Sequence, residues 1–171
     1  LKKVDIMTKK EKREVEFNNI ISNIKNDPEF QKRKKFRHHG KITVYEHCLK
    51  VSKKSYDIAK TLHLDYKSAA IAGLLHDFYE KPWQEDKEKH KFFEQHGFTH
   101  AKNSLNNCHK YFNQYLNVEI EDAILRHMFP LNIKPPKYKI GWVVTLADKM
   151  VSMEVFKYPK MLLLLLGIRI R

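Results

Sequence analysis

The chain has 171 residues and carries 33 Lys and Arg against 20 Asp and Glu, a formal net charge of +13 at pH 7. That length suits one domain with a core of ordinary size. Only five Gly and six Pro occur, and long runs rich in Val, Ile and Thr are missing, which excludes an all-β or low-complexity chain and leaves an all-α domain. The charge favours anionic partners, but it is spread over the chain with no Arg-rich recognition helix and no Gly-aromatic stacking motif. Nucleic acid is therefore not the expected partner. Cys48 and Cys108 fall on apolar stripes and form no disulfide framework, as expected of reduced core thiols in a cytoplasmic protein. The N-terminus lacks the apolar stretch of a secretory signal, and the run Met161–Leu166 is too short to span a bilayer.

In chain order, residues 1–18 alternate Lys and Glu and read as a mobile arm or an exposed helix, with a first short helix over 17–24 and a stop near Asp27-Pro28. The basic stretch 29–39 is expected to be helical up to Gly40. Thr43 followed by Glu46 is a capping box and opens a helix whose apolar stripe runs Val44, His47, Cys48, Val51, Ser55, Ile58, Ala59 and Leu62. His47 therefore faces inward. Asp65 caps the central stretch, in which Ile71, Leu74, Leu75 and Phe78 recur at helical spacing, and Ala69, Ala72 and Gly73 share the other side with His76 and Asp77. The spacing predicts a buried helix carrying both ionisable groups, which must be bonded, paired or metal-bound to be buried at tolerable cost.

Beyond Lys81-Pro82-Trp83 lies a polar stretch, and then His96-Gly97-Phe98-Thr99-His100 opens a helix with Ala101, Leu105, Cys108, Phe112 and Tyr115 inside. His96 and His100 are four residues apart, so they share a helix face. The helix expected over 118–129 puts His127 on the stripe of Ile120, Ala123, Ile124 and Met128. A stiff basic loop, 130–139, leads to a last helix from Gly141 to about Phe156, with Asp148 on its Val144–Val151 side.

A single histidine on an apolar face is ordinarily a satisfied core residue. Here His47, His76 with Asp77, His96 or His100, His127 and Asp148 converge from five helices, and helical bundles build metal sites from side chains on facing helices. Four imidazoles and two carboxylates exceed what one structural zinc needs and suit first-row divalent ions.

The order His47, His76-Asp77, Asp148 on these helix positions resembles the HD-domain superfamily of metal-dependent phosphohydrolases, over roughly residues 40–156. The His-Asp doublet after Ala-Gly-Leu-Leu is its most specific part. The resemblance implies an all-α, single helical bundle of the HD-domain type, with 1–39 a basic arm and helix and 40–171 the metal-binding domain, the two functioning as one. His96 and His127 look like the extra histidines of the dinuclear branch, which includes the HD-type hydrolases of diadenosine tetraphosphate. Cyclic-dinucleotide phosphodiesterases of that branch open the corresponding helix with His-Pro, where this chain has His96-Gly97, and their Gly-Tyr-Pro segment is absent. Cyclic di-GMP is thus not the expected substrate.

By this resemblance His47, His76, Asp77 and Asp148 would bind a first metal, and Asp77 would bridge to a second held by His96 and His127. His100 is the alternative ligand or a neighbour that bonds to one. Two divalent ions are expected, iron or manganese first and magnesium, cobalt, nickel or zinc after them. The implied reaction is hydrolysis of a phosphoester or phosphoanhydride of a nucleotide or related small molecule by a metal-bound hydroxide. Asp77, His76 and Lys149 are the expected catalytic residues. Lys81, Arg126, Lys149 and the 134–139 loop are candidate phosphate contacts, and Tyr79 and Trp83 candidate base-stacking residues. The competing expectation is a basic nucleotide- or nucleic-acid-binding module whose metal site is structural, recognisable by salt-sensitive binding to mixed-sequence nucleic acid.

Overall fold

The computed structural model describes residues 7–38, 42–79 and 96–156, with side chains in the last segment described from 100 to 153. Seven helices lie among them: α1 Lys9–Asn26, α2 Pro28–Gln31, α3 Val44–Thr61, α4 Tyr66–Leu75, α5 His96–Phe112, α6 Val118–Arg126 and α7 Lys139–Phe156. No strand is present among the described residues, apart from an isolated antiparallel bridge between Arg37 and Thr43. The domain is all-α, as expected. No described helix is long and apolar enough to cross a membrane.

α3 and α4 form the spine. The Thr43 side chain accepts from the Glu46 N–H while the Glu46 carboxylate accepts from the Thr43 N–H, so the expected capping box is formed. Asp65 caps α4 through the N–H groups of Lys67 and Ser68. The small residues of α4 let it lie directly on α3. A Cβ at Gly73 would stand 3.0 Å from Ser52 Cα and 3.1 Å from the Val51 carbonyl, and Ser52 Oγ donates to the Ala70 carbonyl at 2.7 Å. α7 packs across α3, α4 and α6, and α5 covers α6, enclosing a core of Leu74, Leu75, Phe78, Phe112, Ile120, Ile124 and Val144. Both cysteines are buried and free.

The N-terminal segment differs from expectation. α1 is one continuous helix from Lys9, capped by Thr8, and its Phe17, Ile21 and Ile24 are buried in the core. Its polar anchor is Glu16, which accepts from Tyr56 at 2.5 Å, from Tyr66 at 2.9 Å and from Lys60. Lys-Glu alternation conceals this because only three side chains of α1 are buried, Phe17, Ile21 and Ile24, with Ile20 packed beside them. The stretch expected as helix over 29–39 is the short α2, a 3-10 turn over Lys32–Lys35 and then extended chain. There Arg33 turns inward, with its guanidinium 3.9 Å from the Phe78 ring centre.

Two further differences shape the site. α4 ends at Leu75 and α6 at Arg126, so His76 and His127 are each the residue that closes a helix and not part of its interior. Both close it in the same way. His76 Nδ1 donates to the Gly73 carbonyl at 2.9 Å and His127 Nδ1 donates to the Ile124 carbonyl at 2.7 Å. Each ring thereby satisfies a terminal carbonyl and aims its Nε2 inward.

Candidate metal centre

The C-terminal ends of α4 and α6 point at one buried spot, and helix C-termini carry partial negative charge that favours cations. His47 reaches the spot from the first turns of α3 and Asp148 from the middle of α7. His47, His76 and His127 are buried, as is Asp77. His47 Nε2 lies 3.3 Å from His76 Nε2, 3.0 Å from Asp148 Oδ1 and 3.9 Å from Asp77 Oδ2. His76 Nε2 lies 3.4 Å from Asp77 Oδ2 and 3.7 Å from Asp148 Oδ1. Ligand atoms about 2.1 Å from one tetrahedral ion stand roughly 3.4 Å apart, in the middle of that spread.

The other oxygen of Asp77 faces a second group. Its Oδ1 lies 3.3 Å from His127 Nε2 and 2.6 Å from His100 Nε2. The carboxylate thus divides its oxygens between His47 with His76 on one side and His100 with His127 on the other. Tyr79 is buried behind His100, ring centres 4.6 Å apart, so it supports that ring and is not the rim aromatic expected for stacking on a base.

The donor set fits divalent cations. With Nδ1 committed to a carbonyl, a neutral His76 or His127 presents a bare lone pair at Nε2. His127 Nε2 is buried without a hydrogen-bond partner beside a carboxylate oxygen, and His76 Nε2 meets another imidazole nitrogen. Lone pairs facing one another in a dry interior are costly unless a proton or a cation lies between them. Nδ1–H bonds to backbone carbonyls are also the arrangement that orients metal-ligating imidazoles.

The electrostatics agree. Burial would hold the charged forms of Asp77 and Asp148 down, but the surrounding imidazoles outweigh it and keep both carboxylates ionised far below their ordinary range. Burial likewise opposes a charge on His76, yet Asp77 and Asp148 raise it to about 9. His127, where burial dominates, is lowered and stays neutral. A field that holds a proton on His76 also favours a metal ion there, and the two compete.

Other expected contacts are placed elsewhere. Arg126 pairs with Asp122 at 2.6 Å and donates to the Pro135 carbonyl, while Asp122 also accepts from the Lys137 N–H. Arg126 therefore fastens the 130–139 loop to α6. Lys149 is half-buried and donates to the Phe129 carbonyl, with burial lowering its pKa. Lys81, Trp83 and the side chain of His96 lie outside the described residues. Sequence reasoning missed His38, whose ring lies against that of His47 with centres 3.9 Å apart and planes inclined by 35°, and whose ring nitrogen lies within 4.8 Å of the His47 and Asp77 ligand atoms. The nearest sequence signal was its place just before the capping box.

No curated protein matches the chain. The family model described as HD domain matches residues 44–153, well over half of the chain and the whole span from His47 to Asp148. On that match, the chain belongs to the HD domain family.

Proposed function

We propose that this protein is a metal-dependent phosphohydrolase that binds two divalent ions and cleaves a phosphoester or phosphoanhydride of a nucleotide or related small molecule. HD domains are in general associated with metal-dependent phosphohydrolysis, and the His/Asp groups here can hold a metal. The division of Asp77 between two imidazole pairs is the observation that carries the reading of two ions. In it His47, His76, Asp77 and Asp148 hold the first, and Asp77, His100 and His127 the second, with His100 taking the part expected of His96. Iron or manganese suits this mixed nitrogen and oxygen set. Residues 40–171 are the functional domain in this reading, with 1–39 as the segment that supports it.

Bound ions of this kind activate water and neutralise phosphoryl oxygens. The chain's own contribution is placement. His76 and His127 are held by their Nδ1–H bonds, so their Nε2 atoms do not swing away. Asp77 and Asp148 supply only two negative charges to a site taking two divalent ions. The excess positive charge would match a phosphate group, which supports a phosphorylated ligand in this reading.

The test is a screen of nucleotides and simple phosphoesters against protein stripped of metal and reloaded with manganese, iron, magnesium, cobalt, nickel or zinc. Hydrolysis should follow reloading, and His76→Ala combined with Asp77→Ala should lose both metal and turnover. Stripped native protein that hydrolyses as fast as reloaded protein would refute the mechanism.

A further inference from the structure

His38 is not among the four residues assigned to the first ion, yet one of its ring nitrogens lies within 4.8 Å of the His47 and Asp77 ligand atoms. Its position is built. The His38 N–H donates to the Ile42 carbonyl at 3.0 Å, the Val44 N–H donates to the Phe36 carbonyl at 2.9 Å, and Arg37 bridges Thr43. The chain before α3 thus doubles back beside the first turn of α3, where His47 lies. The ring is half-buried, at the edge of the cluster, whereas His47 and His76 are fully enclosed.

Imidazoles that share an ion converge on it head-on, as His47 and His76 do with their Nε2 atoms 3.3 Å apart. The His38 ring lies against that of His47, centres 3.9 Å apart and planes inclined by 35°, with a ring nitrogen beside the His47 and Asp77 ligand atoms. His47, His76, Asp77 and Asp148 already supply four donor atoms. A group bound beside these four donors on the His47–Asp77 side would lie next to His38.

We propose that His38 is a substrate-binding residue whose imidazole N–H donates a hydrogen bond to a phosphoryl oxygen held at the His47–Asp77 side of the site. This deepens the phosphohydrolase reading and rests on it for the identity of the ligand. The ligand class is a phosphate group with a free oxygen, whatever is attached to it, because the contact reads only that oxygen. Hydrogen bonds to charged groups are stronger than neutral ones, so one such donor has a measurable share of the affinity.

The experiment uses full-length protein loaded with manganese and titrated calorimetrically with inorganic phosphate, with metal content measured on the same samples. His38→Ala should keep the wild-type metal content and bind phosphate about tenfold more weakly or worse. His38→Gln, which retains an N–H donor, should recover most of the affinity, and this recovery separates a direct contact from a fault in folding. Three results overturn the assignment: unchanged phosphate affinity in His38→Ala, loss of metal from it, or a loaded wild type that binds no phosphate. If phosphate binding depends on His38 but no phosphoester is hydrolysed, the hydrolase reading fails and the His38 contact stands.

Discussion

Asp77 is the residue on which both halves of the site depend, because each of its oxygens faces a different imidazole pair. Substitutions should therefore sort by oxygen. His100→Ala and His127→Ala should each reduce bound metal to about one ion per chain and cut turnover by orders of magnitude, as read by elemental analysis and kinetics on the same preparation. Retention of two ions in both variants would reassign these histidines. Arg126 is a different case. It was expected to touch substrate, but its partners are Asp122 and the Pro135 carbonyl. Arg126→Ala leaves a buried carboxylate without its cationic partner and frees the Pro135 carbonyl, and should cost roughly 1–3 kcal/mol of stability. Its metal content should match the wild type, and a stable variant with a large rise in KM would restore Arg126 to the substrate.

At the scale of elements, α4 is a helix made short and smooth so that it can rest on α3 and end at the site. A methyl group at Gly73 would stand 2.8 Å from Ser55 Oγ and 3.0 and 3.1 Å from backbone atoms of Ser52 and Val51, so α3 and α4 would have to shift apart to admit it. Gly73→Ala should destabilise by about 1–3 kcal/mol through overpacking, and since the Gly73 carbonyl anchors His76, metal affinity should fall as well. Denaturant titration and metal binding check the two parts. α1 is tied to α3 and α4 by Glu16, whose pKa is lowered from 4.5 to about 2 by the hydrogen bonds from Lys60 and Tyr56, against the opposing effect of burial. A carboxyl with a depressed folded-state pKa contributes stability that is present above the unfolded value and lost as pH falls through the folded one. Thermal stability should accordingly decline between pH about 4.5 and about 2, and Glu16→Gln should be less stable at pH 7 with a flatter acid limb over that window. Equal acid limbs in the two proteins would remove Glu16 as the anchor.

For the whole molecule, the helical class and the convergence on His47, His76, Asp77, His127 and Asp148 were legible in the sequence, because an ionisable group on a helical apolar stripe, or among the small apolar residues of a buried helix, has nowhere to point but inward. What was not legible has local causes. The helical pattern continues past Leu75 to Phe78 and past Arg126 to Met128, so periodicity hid the helix ends that the Nδ1–H bonds of His76 and His127 create. Arg33 and α1 looked solvated because charge dominates their neighbourhoods, although a cation over the Phe78 ring and three buried side chains tie them to the core. His38 lay in a basic run with no period at all. The central claim is that two ions share Asp77, and anomalous diffraction from crystals grown with manganese tests it most directly. The account predicts two peaks about 3.5–4 Å apart, one among His47, His76, Asp148 and Asp77 Oδ2, the other beside Asp77 Oδ1, His100 and His127. A single peak, with the Nε2 atoms of His100 and His127 bonded to protein groups alone, would contradict it.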